Sequence, residues 1–245
     1  MRERAFRPPH PVNLRLTLSP LRRGGMDPAM RIGNDGAWRA TRTPDGPVTI
    51  RLTATGDGTI TATAWGPGSA WALDAAPALC GAGDDAAGFA PTHPLLHDLH
   101  RRMPGLRITR SQAVTEALVP TILEQKVTGK EARRSYANLV RRYGERAPGP
   151  AGGAGMMVPP SATTLAGLPS YAFHPLGVER KRADAVRRAC SYHHRLEETV
   201  TMAPGAARSR LMALPGVGPW SAAEVAMVAL GDADAVSVGD YHLPN

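Results

Sequence analysis

Hydrophobic and polar residues alternate along two neighbouring segments in the first third of the chain. The alternation runs from Val48 to Thr55, stops at Gly56-Asp57-Gly58, and resumes from Thr59 to Trp65. Successive side chains of a strand point to opposite faces of a sheet, and a Gly-Asp-Gly segment favours a tight turn. The pattern therefore predicts a β-hairpin over these residues.

Two further strands are predicted nearby. Asn13–Leu18 alternates in the same way, and Trp38–Arg42 follows a turn at Gly33–Gly36. Together with the hairpin, they predict that residues 1–90 form a small antiparallel sheet domain with one face buried and the other in contact with water.

The spacing of apolar residues changes to a helical period after Gly81–Asp85. Two helices are predicted at Ser111–Val127 and Thr128–Tyr143, followed by a Gly- and Pro-rich loop over Gly144–Ser161. Four more helical segments are predicted: a short one at Ala162–Leu168, capped by Ser161, a longer basic one at Glu179–Leu196, a short one at Ala206–Met212, and Pro219–Leu230, with Gly231 as its C-cap. The predicted fold class is α+β, with the antiparallel sheet domain followed by an all-helical domain over residues 91–245.

Composition excludes several classes of protein. The 245 residues contain no run of about 18 apolar residues and no secretory signal at the N-terminus, so we expect no membrane association and a cytoplasmic location. Cys80 and Cys190 are too few for a disulfide framework or a cysteine metal site, and two buried thiols are expected.

The formal net charge is +8, and 26 of the 29 basic residues are arginine. A positive field favours a polyanionic partner such as DNA. A GC-rich genome would raise Arg, Ala, Gly and Pro together, however, so the charge does not identify the partner.

The most informative segment is Leu214-Pro-Gly-Val-Gly218, which lies between two predicted helices. Two glycines that flank a small apolar residue predict a tight hairpin, and Pro219 suits the first position of the helix that follows. Backbone N–H groups beside a helix N-terminus can bind phosphate without reading base sequence. Leu214, Pro215, Gly216, Val217 and Gly218 are therefore the expected DNA-phosphate contacts.

This segment resembles the hairpin of the helix-hairpin-helix DNA glycosylase superfamily, and most of the chain is similar to its type II 3-methyladenine branch. Asp240 follows Gly218 by 22 residues and precedes Tyr241, as in that branch, and Ile122-Leu-Glu-Gln125-Lys-Val-Thr128 is similar to its helix junction. The resemblance implies an alkylation-repair glycosylase with Asp240 as its catalytic carboxylate. It also implies that Trp220, Tyr241 and Gln125 line the pocket for a flipped base, although a tryptophan at a helix start is also commonly a core residue.

Residue 220 narrows the chemistry further. Members of the superfamily that also cut the DNA backbone carry a nucleophilic lysine two positions after the second glycine of the hairpin, where this chain has Trp220. An indole cannot form a Schiff base, so a monofunctional enzyme is implied. It would act on damaged double-stranded DNA as a monomer and need no organic cofactor, with a monovalent cation expected on the main-chain carbonyls of Met212, Leu214 and Val217.

Several features depart from the family pattern. Lys126 stands where relatives insert an apolar wedge, and Glu224 where they can have an aromatic residue, so Glu224 either faces solvent or alters the pocket. His242 has no assigned role. The family continues for several helices beyond the aspartate, whereas this chain stops at Asn245, so a truncated chain is expected. Two alternatives stay open, a non-catalytic DNA-binding protein with the same hairpin and a glycosylase for oxidised or mismatched bases.

Overall fold

A five-stranded antiparallel sheet occupies the N-terminal part of the computed structural model, which describes residues 1–86 and 88–240. Its spatial order is β1-β5-β4-β3-β2. The five strands are β1 (Arg2–Phe6), β2 (Met30–Gly33), β3 (Gly36–Thr43), β4 (Gly46–Ala54) and β5 (Ile60–Trp65). The predicted hairpin is confirmed, because Ala54 of β4 pairs with Ile60 of β5 across the Gly-Asp-Gly turn. The predicted strand at Trp38–Arg42 lies within β3.

The strand predicted at Asn13–Leu18 is wrong, since this segment forms helix α1 (Leu14–Leu18). The Asn13 side chain caps the helix by accepting a hydrogen bond from the Leu16 N–H at 3.1 Å. Leu14 and Leu18 lie one helical turn apart, and both pack against the buried face of the sheet. A spacing of four residues suits a strand face as well as a helix face, and here the cap favours the helix.

A second helix, α2 (Ser69–Leu79), also lies in the region predicted to be only sheet. Its buried residues Ala72, Leu73, Ala76 and Leu79 pack against the sheet residues Val48, Ile50 and Leu52. The opposite face of the sheet is not fully in contact with water, contrary to the prediction. Trp38 and Ala40 are buried there against Ala147, Met156 and Val158.

The rest of the described chain is mainly helical. Nine α-helices follow among the described residues: α3 (Pro94–Arg102), α4 (Val114–Glu124), α5 (Gly129–Tyr143), α6 (Pro150–Gly153), α7 (Ala162–Gly167), α8 (Arg180–Ser191), α9 (His193–Glu197), α10 (Pro204–Met212) and α11 (Pro219–Val225). Two short strands, β6 (Glu145–Arg146) and β7 (Met157–Val158), pair within the predicted loop. Turns of 3₁₀-helix occupy Ser19–Leu21, Ser170–Leu176 and Glu198–Thr201, and a π-helical turn occupies Ala226–Leu230.

Capping contacts explain several of these boundaries. Thr128 and Glu131 form a reciprocal capping box at the start of α5, and Ser161 caps α7 as predicted. The segment predicted as one helix from Glu179 to Leu196 is two helices, because the backbone leaves helical geometry at Tyr192. Gly231 adopts the left-handed conformation expected of a C-cap, with φ of 71°.

Helix α4 lies at the centre of the helical core. Val114, Leu118 and Ile122 on this helix are fully buried, and α8 and α11 supply core residues that include Val186 and Val225. The structure therefore has the mixed α and β composition that was predicted. The division into domains at residues 90 and 91 stays a prediction. In the part of the chain with described coordinates, no helix combines the length and apolarity needed to cross a membrane.

Candidate functional site

The hairpin predicted from Leu214–Gly218 joins α10 to α11. It closes with a hydrogen bond from the Val217 N–H to the Leu214 carbonyl at 3.0 Å. Leu214 and Val217 are only 7% and 6% exposed and belong to the helical core, whereas Pro215, Gly216 and Gly218 are exposed. Two apolar side chains thus anchor the hairpin while its glycines face solvent.

Gly216 is required by the backbone of the hairpin. Its φ of 99° lies in the region that favours glycine, and a Cβ built on it would lie 3.3 Å from the Ala185 Cβ of α8. Gly218 precedes α11 as its N-cap, and Pro219 takes the first helical position as predicted.

The hairpin is held by neighbouring elements on two sides. The Gln125 side chain at the end of α4 donates from Nε2 to the Gly216 carbonyl at 2.8 Å and to the Ser221 Oγ at 2.9 Å. Arg188 of α8 donates to the Pro215 carbonyl at 3.0 Å. The hairpin position relative to α4 therefore depends on the amide of Gln125. The role predicted for Gln125 as a pocket residue stays a prediction.

Asp240 lies beside the first turn of α11. The Trp220 indole Nε1–H donates to the Asp240 Oδ2 at 2.9 Å, and both side chains are half-buried. The spacing between hairpin and aspartate thus brings the predicted carboxylate to the predicted aromatic residue. Tyr241 and His242, which were also singled out from the sequence, lie outside the described residues.

Two further carboxylates, those of Glu224 and Glu124, lie close enough to each other to interact electrostatically. Glu224, one turn beyond Trp220 on α11, accepts a hydrogen bond from the Ser237 hydroxyl. Glu124 at the end of α4 forms an ion pair with Arg23 at 3.4 Å. Burial raises the pKa of the Glu124 carboxyl, the nearby charge of Arg23 lowers it, and the negative charge of Glu224 raises it further.

Ser237, Glu124 and Arg23 were not identified from the sequence. Ser237 is a short polar residue between two valines, three residues before Asp240. That position is the only signal in the sequence that could have identified it. Arg23 lies about 100 residues from Glu124 along the chain, so no local pattern could join them.

The exposed Lys126 at the α4–α5 junction has a φ of 56°, an uncommon conformation for a lysine.

The predicted cation ligands lie at the end of α10 and within the hairpin. The Leu214 carbonyl already accepts the Val217 N–H, but a carbonyl oxygen has two lone pairs and can accept a second partner. The carbonyls of Met212 and Val217 flank it in the chain. Neutral main-chain oxygens suit a monovalent cation, so the donor set is compatible with one.

A separate cavity of about 640 Å³ lies at the other end of α4. Its lining includes Trp71 of α2, Tyr136 of α5, and His193 and His194 of α9. Among the residues that the structure describes, none of those predicted for catalysis or DNA binding lines it. The candidate site is therefore the hairpin, Trp220 and Asp240.

No protein-family model matches the chain. A curated protein of Mycobacterium tuberculosis described as "Probable bifunctional transcriptional activator/DNA repair enzyme AlkA" is 33% identical over 155 residues, in each of two strains. The match covers 61% of this chain but only 30% of that protein. The chain therefore spans less than a third of the length of these relatives.

Solved structures resemble nearly all of the chain. A 3-methyladenine DNA glycosylase from Archaeoglobus fulgidus superposes with a TM-score of 0.79 at 18% identity, covering 97% of this chain and 82% of that one. An 8-oxoguanine glycosylase/lyase from Clostridium acetobutylicum, in complex with double-stranded DNA, superposes with a TM-score of 0.69 at 12% identity, with coverages of 97% and 82%. Together with the hairpin geometry, these similarities show that the chain has the fold of the helix-hairpin-helix DNA glycosylases.

Proposed function

We propose that this protein is a monofunctional DNA glycosylase that hydrolyses the N-glycosidic bond of alkylated purines, such as 3-methyladenine, in duplex DNA. The observation that supports this most directly is the contact between Trp220 and Asp240. It places an oriented carboxylate next to an aromatic side chain, directly beyond a hairpin suited to phosphate binding. The Mycobacterium tuberculosis relative, a DNA repair enzyme by its description, adds support.

The chemistry follows from the charge that develops when the base leaves. The sugar acquires oxocarbenium character, and a nearby carboxylate stabilises that positive charge or orients the attacking water. Asp240 supplies this group. Because the Trp220 N–H is fixed at Oδ2, the carboxylate need not reorganise as the bond breaks.

The leaving group explains why a single carboxylate is enough. A purine alkylated at N3 or N7 already has a positive charge and departs without protonation. Once flipped out of the helix, an electron-poor base stacks favourably on an aromatic ring, here Trp220. The carboxylate of Glu224, one helical turn from Trp220 on α11, adds a negative potential that favours such a base.

Trp220 also makes cleavage of the DNA strand unexpected. A lyase of this superfamily needs an amine where the chain has Trp220, and an indole nitrogen cannot form the covalent intermediate. The expected product is an intact strand with an abasic site.

DNA binding would use the exposed face of the hairpin. Backbone N–H groups around Gly216 and Gly218 are expected to contact phosphate, with a monovalent cation on the carbonyls of Met212, Leu214 and Val217 assisting. The net charge of +8 supports binding to a polyanion. We propose that the protein acts as a monomer in the cytoplasm.

The test is incubation of the chain with duplex DNA methylated by an alkylating agent. Released bases are separated by chromatography, and strand breaks are counted before and after alkali. We expect released 3-methyladenine and breaks that appear only after alkali. Breaks without alkali would contradict the monofunctional assignment, and DNA binding without base release would favour a non-catalytic protein. Release of 8-oxoguanine or mismatched adenine instead would replace the alkylation assignment.

A further inference from the structure

The segment that carries Asp240 begins at Gly231, after the π-helical turn that follows α11, and its first fixed point is Asp232. The buried Asp232 carboxylate pairs with Arg208 of α10, and its other oxygen accepts the Asp234 N–H at 3.1 Å. A partly buried ion pair with a further hydrogen bond gives this end of the segment a defined position. Asp240 lies eight residues farther on, so its own position needs another anchor.

Burial of apolar side chains does not supply that anchor. Val236 and Val238, the large apolar residues before Asp240, are 65% and 67% exposed. The last part of the segment is instead a compact turn, in which the Asp240 N–H donates to the Ser237 carbonyl at 3.1 Å and Gly239 has a φ of 87°. Any displacement of Ser237 therefore moves Asp240.

Helix α11 contacts this turn at both ends. Trp220 donates to Asp240, and Glu224, one helical turn later, accepts from the Ser237 hydroxyl. Residues four apart lie on the same face of a helix, so the two contacts lie side by side. The contact at Ser237, three residues before Asp240, restricts the turn itself in addition to the carboxylate that Trp220 contacts.

We infer that Glu224 is a positioning residue, which holds Asp240 in place through Ser237. The inference rests on the proposed function, since it concerns the same carboxylate. It gives Glu224 a role in this chain that neither a solvent-facing residue nor a pocket wall would have.

The environment of Glu224 shows which variant separates positioning from charge. Glu224 lies close enough to Glu124 for its negative charge to raise the pKa of that half-buried carboxyl. What the turn needs from residue 224 is an acceptor for the Ser237 hydroxyl. Glutamine has a side-chain oxygen at the same position without the charge. Glu224→Gln should preserve the contact and Glu224→Ala should remove it.

The first experiment observes the carboxylate without requiring activity. The chain has four tryptophans, and in a ¹H–¹⁵N spectrum the Trp220 indole signal is the one lost in Trp220→Phe. Asp240→Ala gives the position of this signal when its acceptor is absent. We expect Glu224→Ala and Ser237→Ala to move the signal towards that position, and Glu224→Gln to leave it near the wild-type position. An unmoved signal in Glu224→Ala, or equal shifts in Glu224→Ala and Glu224→Gln, would overturn the inference.

The second experiment measures single-turnover base release from a duplex with one alkylated purine. We expect Glu224→Ala and Ser237→Ala each to lower the rate constant about 10- to 100-fold, with unchanged DNA affinity, because small misplacements of a catalytic group have effects of this size. The double variant should be no slower than either single variant. Val236→Ala, which changes an exposed side chain directly before the turn, is the matched control and should keep the wild-type rate.

The two proposals fail in different ways. If the wild-type chain releases no alkylated base, the proposed function fails, and the indole signal alone decides the role of Glu224. If the wild type is active and Glu224→Ala is equally fast, only the positioning role is wrong.

Discussion

Replacing Gln125 by alanine removes two hydrogen bonds that attach the hairpin to α4. The bond to the Gly216 carbonyl lies at the surface, where water can replace it, so its loss should cost about 0.5 kcal/mol. The bond to Ser221 is different, because that residue is only 2% exposed and its hydroxyl loses its donor. An unsatisfied buried hydroxyl costs about 1–2 kcal/mol, so Gln125→Ala should lower the free energy of unfolding by about 1.5–2.5 kcal/mol.

Urea denaturation followed by circular dichroism and tryptophan fluorescence measures this change. With a slope of about 2.5 kcal/mol per molar urea, the midpoint should fall by roughly 0.8 M. Ser221→Ala removes the same buried bond, so the two variants should be coupled by about 1 kcal/mol in a double-mutant cycle. A loss below about 0.5 kcal/mol, or full additivity, would refute the bracing role. Slower base release with unchanged stability would instead support the predicted pocket role of Gln125.

Three other predictions test the structure independently. Burial raises the pKa of both the Cys80 and Cys190 thiols to about 12, so neither should react with a thiol reagent at pH 8 until urea unfolds the chain; rapid reaction of the native protein would contradict this. The pKa of Glu124 is raised in the folded state, chiefly by burial. The folded state therefore binds this proton more tightly than the unfolded state, and protonation of Glu124 stabilises the fold. Wild type should therefore gain stability relative to Glu124→Gln as pH falls from 7 towards 4, and the difference should be lost as pH rises through the folded-state pKa. The Glu116 carboxylate accepts hydrogen bonds from Arg39 at 2.8 Å and from Thr41 at 2.6 Å. Glu116→Ala leaves the buried Arg39 guanidinium unpaired, so the free energy of unfolding measured in urea should fall by about 3 kcal/mol. Glu145→Ala, which breaks a more exposed ion pair with Arg42, should cost less than about 1 kcal/mol, and equal losses in the two variants would show that burial is not the cause.

The sheet shows how far periodicity alone can predict a fold. The hairpin of β4 and β5 was predicted because its alternation and its turn are local features of the sequence. Helix α1 was missed because Leu14 and Leu18 fit a strand face or a helix face equally well. Helix α2 was missed because its Ala-rich sequence has little contrast between faces, and only the sheet beneath it decides which side is buried.

The candidate site could be predicted where motif and spacing specify it. The hairpin residues follow from their glycines and flanking helices, and the 22-residue spacing brought Asp240 to Trp220. The contacts between Gln125 and Gly216, 91 residues apart, and between Glu224 and Ser237, 13 apart, depend on how helices and turns pack. No local pattern contains that information, so the bracing and positioning residues required a structure.

The proposed function depends most on Asp240 acting as the catalytic carboxylate. Single-turnover release of 3-methyladenine from duplex DNA tests it most directly, comparing wild type with Asp240→Asn. Asp234→Asn, an exposed carboxylate in the same segment, is the matched control. We expect Asp240→Asn to slow release by at least about 100-fold with unchanged DNA affinity, because an amide cannot stabilise the developing positive charge, and Asp234→Asn to match wild type. Release by Asp240→Asn at the wild-type rate would contradict the account.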